Sequence, residues 1–164
     1  MNGMRIKRQA LRRVIKIKVN IQRATKTPAL PSNQRIRQWV STALADHRVD
    51  HAELTVRIVG EKEAAQLNWK WRRKKGPTNV LSFPAGDRQG HVPGLLGDIV
   101  LCAPVIAREA TQQEKSLGAH WAHMIIHGAL HLMGYDHKKT LETRKMEGLE
   151  IKLLATMGIA DPYK

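Results

Sequence analysis

Apolar and polar residues alternate through VIKIKVNIQ (14–22) and ELTVRIV (53–59), the two-residue period of strands that bury one face. NVLSF (79–83), closed by Pro84, and GDIVLC (97–102) are short apolar runs bounded by glycine and proline and predict two further strands. Elsewhere the period lengthens to that of a helix. Beyond the proline-containing loop ATKTPALPS, Ser32 caps a helix reaching about residue 45, and Gly60 precedes a short helix through EKEAAQLNWKW. Pro104 opens helical sequence that a break near residues 116–118 divides in two, the second piece being AHWAHMIIHGALHLM. A last amphipathic helix runs from about 140 to 157, while RRKKGP and the glycine-rich stretch 85–95 are loops. Four strands and about five helices without strict alternation predict one α+β domain over residues 14–164.

Charge adds a second region to this picture. The chain of 164 residues has a formal net charge of +14. Residues 1–45 contain eleven Lys/Arg and no acid, whereas the remainder holds seventeen against fourteen Asp/Glu. The excess is therefore N-terminal, and residues 1–13 form a basic arm. Such an arm attracts polyanions, nucleic acid above all, unless it is simply a solvated tail. An organelle leader is disfavoured by the scarcity of serine, and lysines interrupt any secretory apolar core. No stretch is apolar enough to suggest a membrane span. A single cysteine, Cys102, in an apolar run excludes an internal disulfide, fits a reducing cytoplasm and reads as an inert buried thiol.

The chemistry lies in HGALHLMGYDH, residues 127–137. Residues four apart on a helix differ by about 40° and about 6 Å along the axis, so His127 and His131 can present their rings to one ion. On a continuous helix His137 would lie about 15 Å beyond His127 and off that face. Gly134 resolves this by permitting the left-handed turn that ends a helix and brings His137 back. His123 lies on the same stripe but about 12 Å from His131, which makes it a packing or supporting residue. The three histidines predict one Zn²⁺ with an open position for an acidified water. Peptidases with this spacing carry a glutamate where Gly128 stands, so a peptide substrate is not expected. Asp136 is an acid beside a ligand, suited to orienting an imidazole. A phosphodiester asks for less: activated water at phosphorus and a cation for the nonbridging oxygens. NWKWRRKKGPTNVLSFP offers that cation. Arg72, Arg73, Lys74 and Lys75 follow Trp69 and Trp71, joining phosphate-binding charge to flat rings on which unpaired bases stack, unless a tryptophan is core and the loop merely solvated.

HGALHLMGYDH, LNWKWRRKKGPTNVLSFP and LLGDIVLC together resemble the YbeY family of bacterial endoribonucleases, in order, over roughly residues 54–164. The resemblance implies a zincin-like α+β domain with a four-stranded mixed sheet and the metal site at the end of a long helix. It implies zinc on His127, His131 and His137, a functional arginine at Arg72, and cleavage of single-stranded RNA. It further implies work on the 3′ end of small-subunit ribosomal RNA and in ribosome quality control, in the cytoplasm beside the small ribosomal subunit. Two positions depart from the family pattern: Lys75 stands where the motif has an acid, and Ala129 where many members have serine. A noncatalytic ribosome-assembly factor with a structural zinc is the alternative, and a metallopeptidase the weaker one.

Overall fold

The computed structural model describes residues 16–47, 49–86 and 92–164. The basic arm therefore lies outside the described residues, as do Val14 and Ile15 of the first predicted strand and the middle of the 85–95 loop. In chain order the elements are β1 (Lys16–Ala24), α1 (Asn33–Leu44), β2 (His51–Val59), α2 (Glu61–Arg72), β3 (Val80–Pro84), β4 (Leu95–Cys102), α3 (Ala103–Gln112), α4 (Leu117–Leu132) and α5 (Thr140–Ala155). The strands form one mixed sheet in the order β1-β2-β4-β3, with β1, β2 and β4 parallel and the edge strand β3 antiparallel to β4.

Local chemistry accounts for the boundaries. Ser32 caps α1 by accepting from the Arg35 N–H at 3.3 Å, and Ser116 caps α4 by accepting from the Ala119 N–H at 3.1 Å. Three strands run past the bounds that alternation alone suggests. β1 continues to Ala24 because β2 offers partners as far as Val59, β2 begins at His51, paired with Lys16, and β4 begins at Leu95, paired with Glu53 across a register shift.

The sheet has two unequal sides. On one, Ala52, Leu54, Val56 and Ile58 of β2 and Ile99 and Leu101 of β4 are buried against Trp39, Val40 and Leu44 of α1 and Trp121, Ile125 and Leu130 of α4. α4 is enclosed by α1, α3, α5, β3 and β4, and is buried nearly all round. The other side carries a small cluster beneath α2, made of Val59, Ala64, Leu81, Val100 and Cys102. Burial pushes the Cys102 thiol pKa up, as befits an inert packing residue.

Strand alternation puts the two sides in register on β3. Ser82 faces α4, its Oγ donating to the Gly128 carbonyl at 3.1 Å. Phe83, the next residue, faces α2 and meets the Trp71 ring edge-on, centroids 5.8 Å apart.

Candidate metal centre

His127 and His131 leave α4 one turn apart, with ring centroids 4.6 Å apart. The helix then stops as the glycine predicts. Gly134 has φ +94°, its N–H donates to the His131 carbonyl at 3.0 Å and the Tyr135 N–H to the Leu130 carbonyl at 3.1 Å, the paired bonds of a Schellman turn. That reversal returns His137 to within 5.6 Å of His127 and 4.8 Å of His131, ring centre to ring centre. Asp136 fixes the backbone there, its Oδ1 accepting the His137 N–H at 2.7 Å, and this bond holds its pKa below the usual carboxylate value. Thr143 Oγ1 donates to the His137 carbonyl at 2.9 Å. The three histidines offer ligand nitrogens that all lie within 4.8 Å of one another.

The far nitrogens decide which atoms are offered. Glu150 Oε1 accepts from His127 Nδ1–H at 2.5 Å, and the Tyr135 carbonyl accepts from His131 Nδ1–H at 2.8 Å. With both Nδ1 atoms so engaged, both Nε2 lone pairs point inward, 3.1 Å apart. Two imidazoles on a tetrahedral ion with bonds of about 2.05 Å would place their nitrogens about 3.3 Å apart, so the pair fits a divalent metal that favours nitrogen. Burial, then the neighbouring His127 and His137, push the His131 pKa down to about 4, which leaves a neutral ring at pH 7.

Glu150, on α5, is the residue the histidine motif does not point to. It is fully buried, and its Oε2 accepts from His123 Nε2–H at 3.1 Å and from the Tyr163 hydroxyl. Burial alone would raise its pKa. The bonds from His123 and His127, the charge of His127 and the Tyr163 bond outweigh that and hold it at about 2. Burial and Glu150 together raise the Tyr163 hydroxyl pKa. His127, His123 and Glu150 form a second tight group, whose contacts are N–H···O bonds to an acceptor-only carboxylate. A signal for Glu150 was present: Met146, Leu153 and Leu154 put it on the buried stripe of α5, where an unpaired acid would be costly. His123 thus sits behind the ligand ring, while Asp136 holds backbone.

Gly128 shows why no glutamate follows His127. A Cβ at that position would lie 2.8 Å from Ile99 Cγ2 and 3.3 Å from both Ser82 Oγ and Val80 Cγ2. α4 lies too close to β3 and β4 for a side chain. Glu150 does not replace the missing base, because it binds the face of His127 turned away from the cluster.

The basic residues gather at the end of α2. Arg72 is its last residue and Arg73 its left-handed cap (φ 57°), both exposed together with Lys74 and Lys75. Trp69 and Trp71 are 49% and 52% exposed, so neither is core. Trp71 carries Lys70 Nζ 5.1 Å from its ring centroid and leans on Phe83. The structure thus sets the basic end of α2 and the ligand helix against opposite faces of one edge strand, through adjacent residues.

A mixed sheet with an antiparallel edge strand, and a buried helix whose H-x-x-x-H is completed by a histidine beyond a glycine turn, define a zincin-like α+β protein with a three-histidine centre. The family model described as Endoribonuclease YbeY matches residues 18–158. Relatives of that description include one from Cellvibrio japonicus, 50% identical over 149 residues (90% of this chain, 84% of the relative), and one from Nitrosococcus oceani, 45% identical over 155 residues (90% and 97%). The chain belongs to the YbeY endoribonuclease family. A solution structure of a Thermotoga maritima protein shares the fold, with TM-score 0.51 and 22% identity over 89% of this chain and 95% of the other.

Proposed function

We propose that this protein is a zinc-dependent endoribonuclease of single-stranded RNA, acting in the cytoplasm on ribosomal RNA, at the 3′ end of the small-subunit species, and in ribosome quality control. Family membership supports the reaction class. The observation that carries the metal reading is the pair of Nε2 atoms 3.1 Å apart with their Nδ1 partners already bonded.

In this reading His127, His131 and His137 hold one Zn²⁺. Bound there, zinc supplies Lewis acidity to a phosphate oxygen and lowers the pKa of water. Glu150 and the Tyr135 carbonyl keep the protons of His127 and His131 on Nδ1, away from the metal. Arg72 gives a forked, permanently charged contact to the nonbridging oxygens, whose charge grows in the transition state. Arg73, Lys74 and Lys75 draw in the backbone of the strand, and Trp69 and Trp71 stack its bases. Gly128 and the position of Glu150 weigh against peptide hydrolysis, which needs a carboxylate on the metal side of the cluster.

The test pairs metal analysis with RNA cleavage on one purified sample, before and after chelation. Cleavage should vanish with the metal and return with zinc. His131→Ala should lose most of the zinc; Arg72→Ala should keep it and cleave about a hundredfold more slowly, with Arg72→Lys also impaired. Cleavage that survives chelation, or an Arg72→Ala variant as fast as the parent, overturns the reading.

A further inference from the structure

We propose that Tyr163 is a positioning residue of the metal centre: through the Glu150 carboxylate its hydroxyl fixes the His127 imidazole. The inference rests on the reading that His127, His131 and His137 hold zinc. A carboxylate without solvent contact survives only if its lone pairs are taken, and those of Glu150 are shared unequally between its oxygens. Oε1 serves His127 alone, while Oε2 is held by His123 and Tyr163. A carboxylate pivots about its last torsion, so whatever holds Oε2 decides where Oε1 points. His123 has no further donor to give, since its Nε2 is already used and its Nδ1 is buried without a partner.

Tyr163 is placed for this task. The residue is 46% exposed, its ring touches His123 edge-on with centroids 5.4 Å apart, and its hydroxyl reaches the buried Glu150. The segment after α5 is tied down separately: the Tyr163 N–H donates to Asp161 Oδ1 at 2.9 Å and Lys115 Nζ donates to the Pro162 carbonyl. Replacement by phenylalanine keeps the ring contact and those anchors, and deletes only the hydroxyl, with its bond to Glu150 Oε2 and its 3.3 Å contact with His123 Nε2. Without it Oε2 keeps a single donor, Oε1 drifts from His127 Nδ1, and the imidazole is free to carry its proton on Nε2, the atom the metal needs.

The expected result for Tyr163→Phe is a zinc Kd raised roughly tenfold in competition with a chromophoric chelator, while the metal-free variant melts with the parent. Glu150→Gln should weaken zinc binding by itself, and adding Tyr163→Phe to it should bring no further loss, because the two act in series. A merely structural role would lower the melting temperature and leave the Kd unchanged. If the variant melts early, nitrogen NMR of labelled histidine below its transition reads the same property: one His127 tautomer in the parent, a mixture in the variant. An unchanged Kd, losses that add, or a single tautomer in both proteins overturns the proposal. Zinc binding is read without RNA. A parent that binds zinc but cleaves nothing leaves this test intact, and a parent that binds no zinc overturns both readings.

Discussion

Gly128 and Glu150 show how differently two residues of one site can be read from sequence. The histidine spacing and the turn glycine were legible because helix geometry alone fixes which residues share a face, and the three rings do converge. The absence of a glutamate after His127 was equally plain, but its cause was not. It lies in Ile99, Ser82 and Val80, contributed by strands about thirty to fifty residues away. Glu150 escaped for a related reason, since α5 reaches His127 only in the folded chain. Gly128→Glu, which restores the peptidase pattern on paper, should therefore destabilise the protein by about 1–3 kcal/mol through overpacking. A calorimetric melting temperature lower by about 2 °C or more would show it. A variant that melts with the parent would mean that α4 retreats from the sheet at no cost.

At the scale of the element, the decisive join is the one between α4 and His137. Gly134 has open space around its missing Cβ, so an alanine there meets no clash and suffers only from the left-handed backbone, a cost of about 1–2 kcal/mol. Gly134→Ala should shift that turn, weaken zinc binding and leave helix content unchanged by circular dichroism. Gly134→Asn should do less harm, because asparagine tolerates the conformation. Equal zinc affinity in all three proteins would show that His137 is not delivered by the turn. The elements themselves were legible nearly throughout, since alternation and capping residues act locally. What was missed was where β1 ends and where β2 and β4 begin, which depends on the partner strand. The order β1-β2-β4-β3, with β4 inserted between β2 and β3, also lies beyond what periodicity carries.

For the molecule as a whole, the half-buried His131, the buried His120 and one buried carboxylate make the metal-free protein sensitive to acid. His131 has its pKa lowered to about 4 from 6.5, so between those values the unfolded chain binds a proton that the folded chain refuses, and stability is lost as pH falls. His120, lowered by burial, acts in the same direction. Glu150, lowered to about 2, extends the loss below pH 4.5. Urea midpoints of the chelated protein should fall steadily from pH 7 to pH 4, and a flat profile would contradict the assignment. The basic arm is a separate matter of long-range charge. Deleting residues 1–13 removes Arg5, Lys7, Arg8, Arg12 and Arg13; if they neutralise RNA phosphates, affinity falls and the log–log salt slope flattens by about 0.7 for each phosphate no longer neutralised. Zinc content should stay the same, and an unaltered slope would leave the arm a solvated tail. The close approach of α4 to the sheet at Gly128 has a last consequence, for hydrogen exchange. A helix that packs directly on the side chains of β3 and β4 at Gly128, where it has none of its own, and is enclosed by three other helices, is kept in register by the core and needs no ion to hold it. Stripping the metal should leave the amides of Ile125 to Leu130 as slow to exchange with deuterium as before, with faster exchange confined to the turn from Met133 to Lys139: the protein loses its ion as a socket does, without first coming apart.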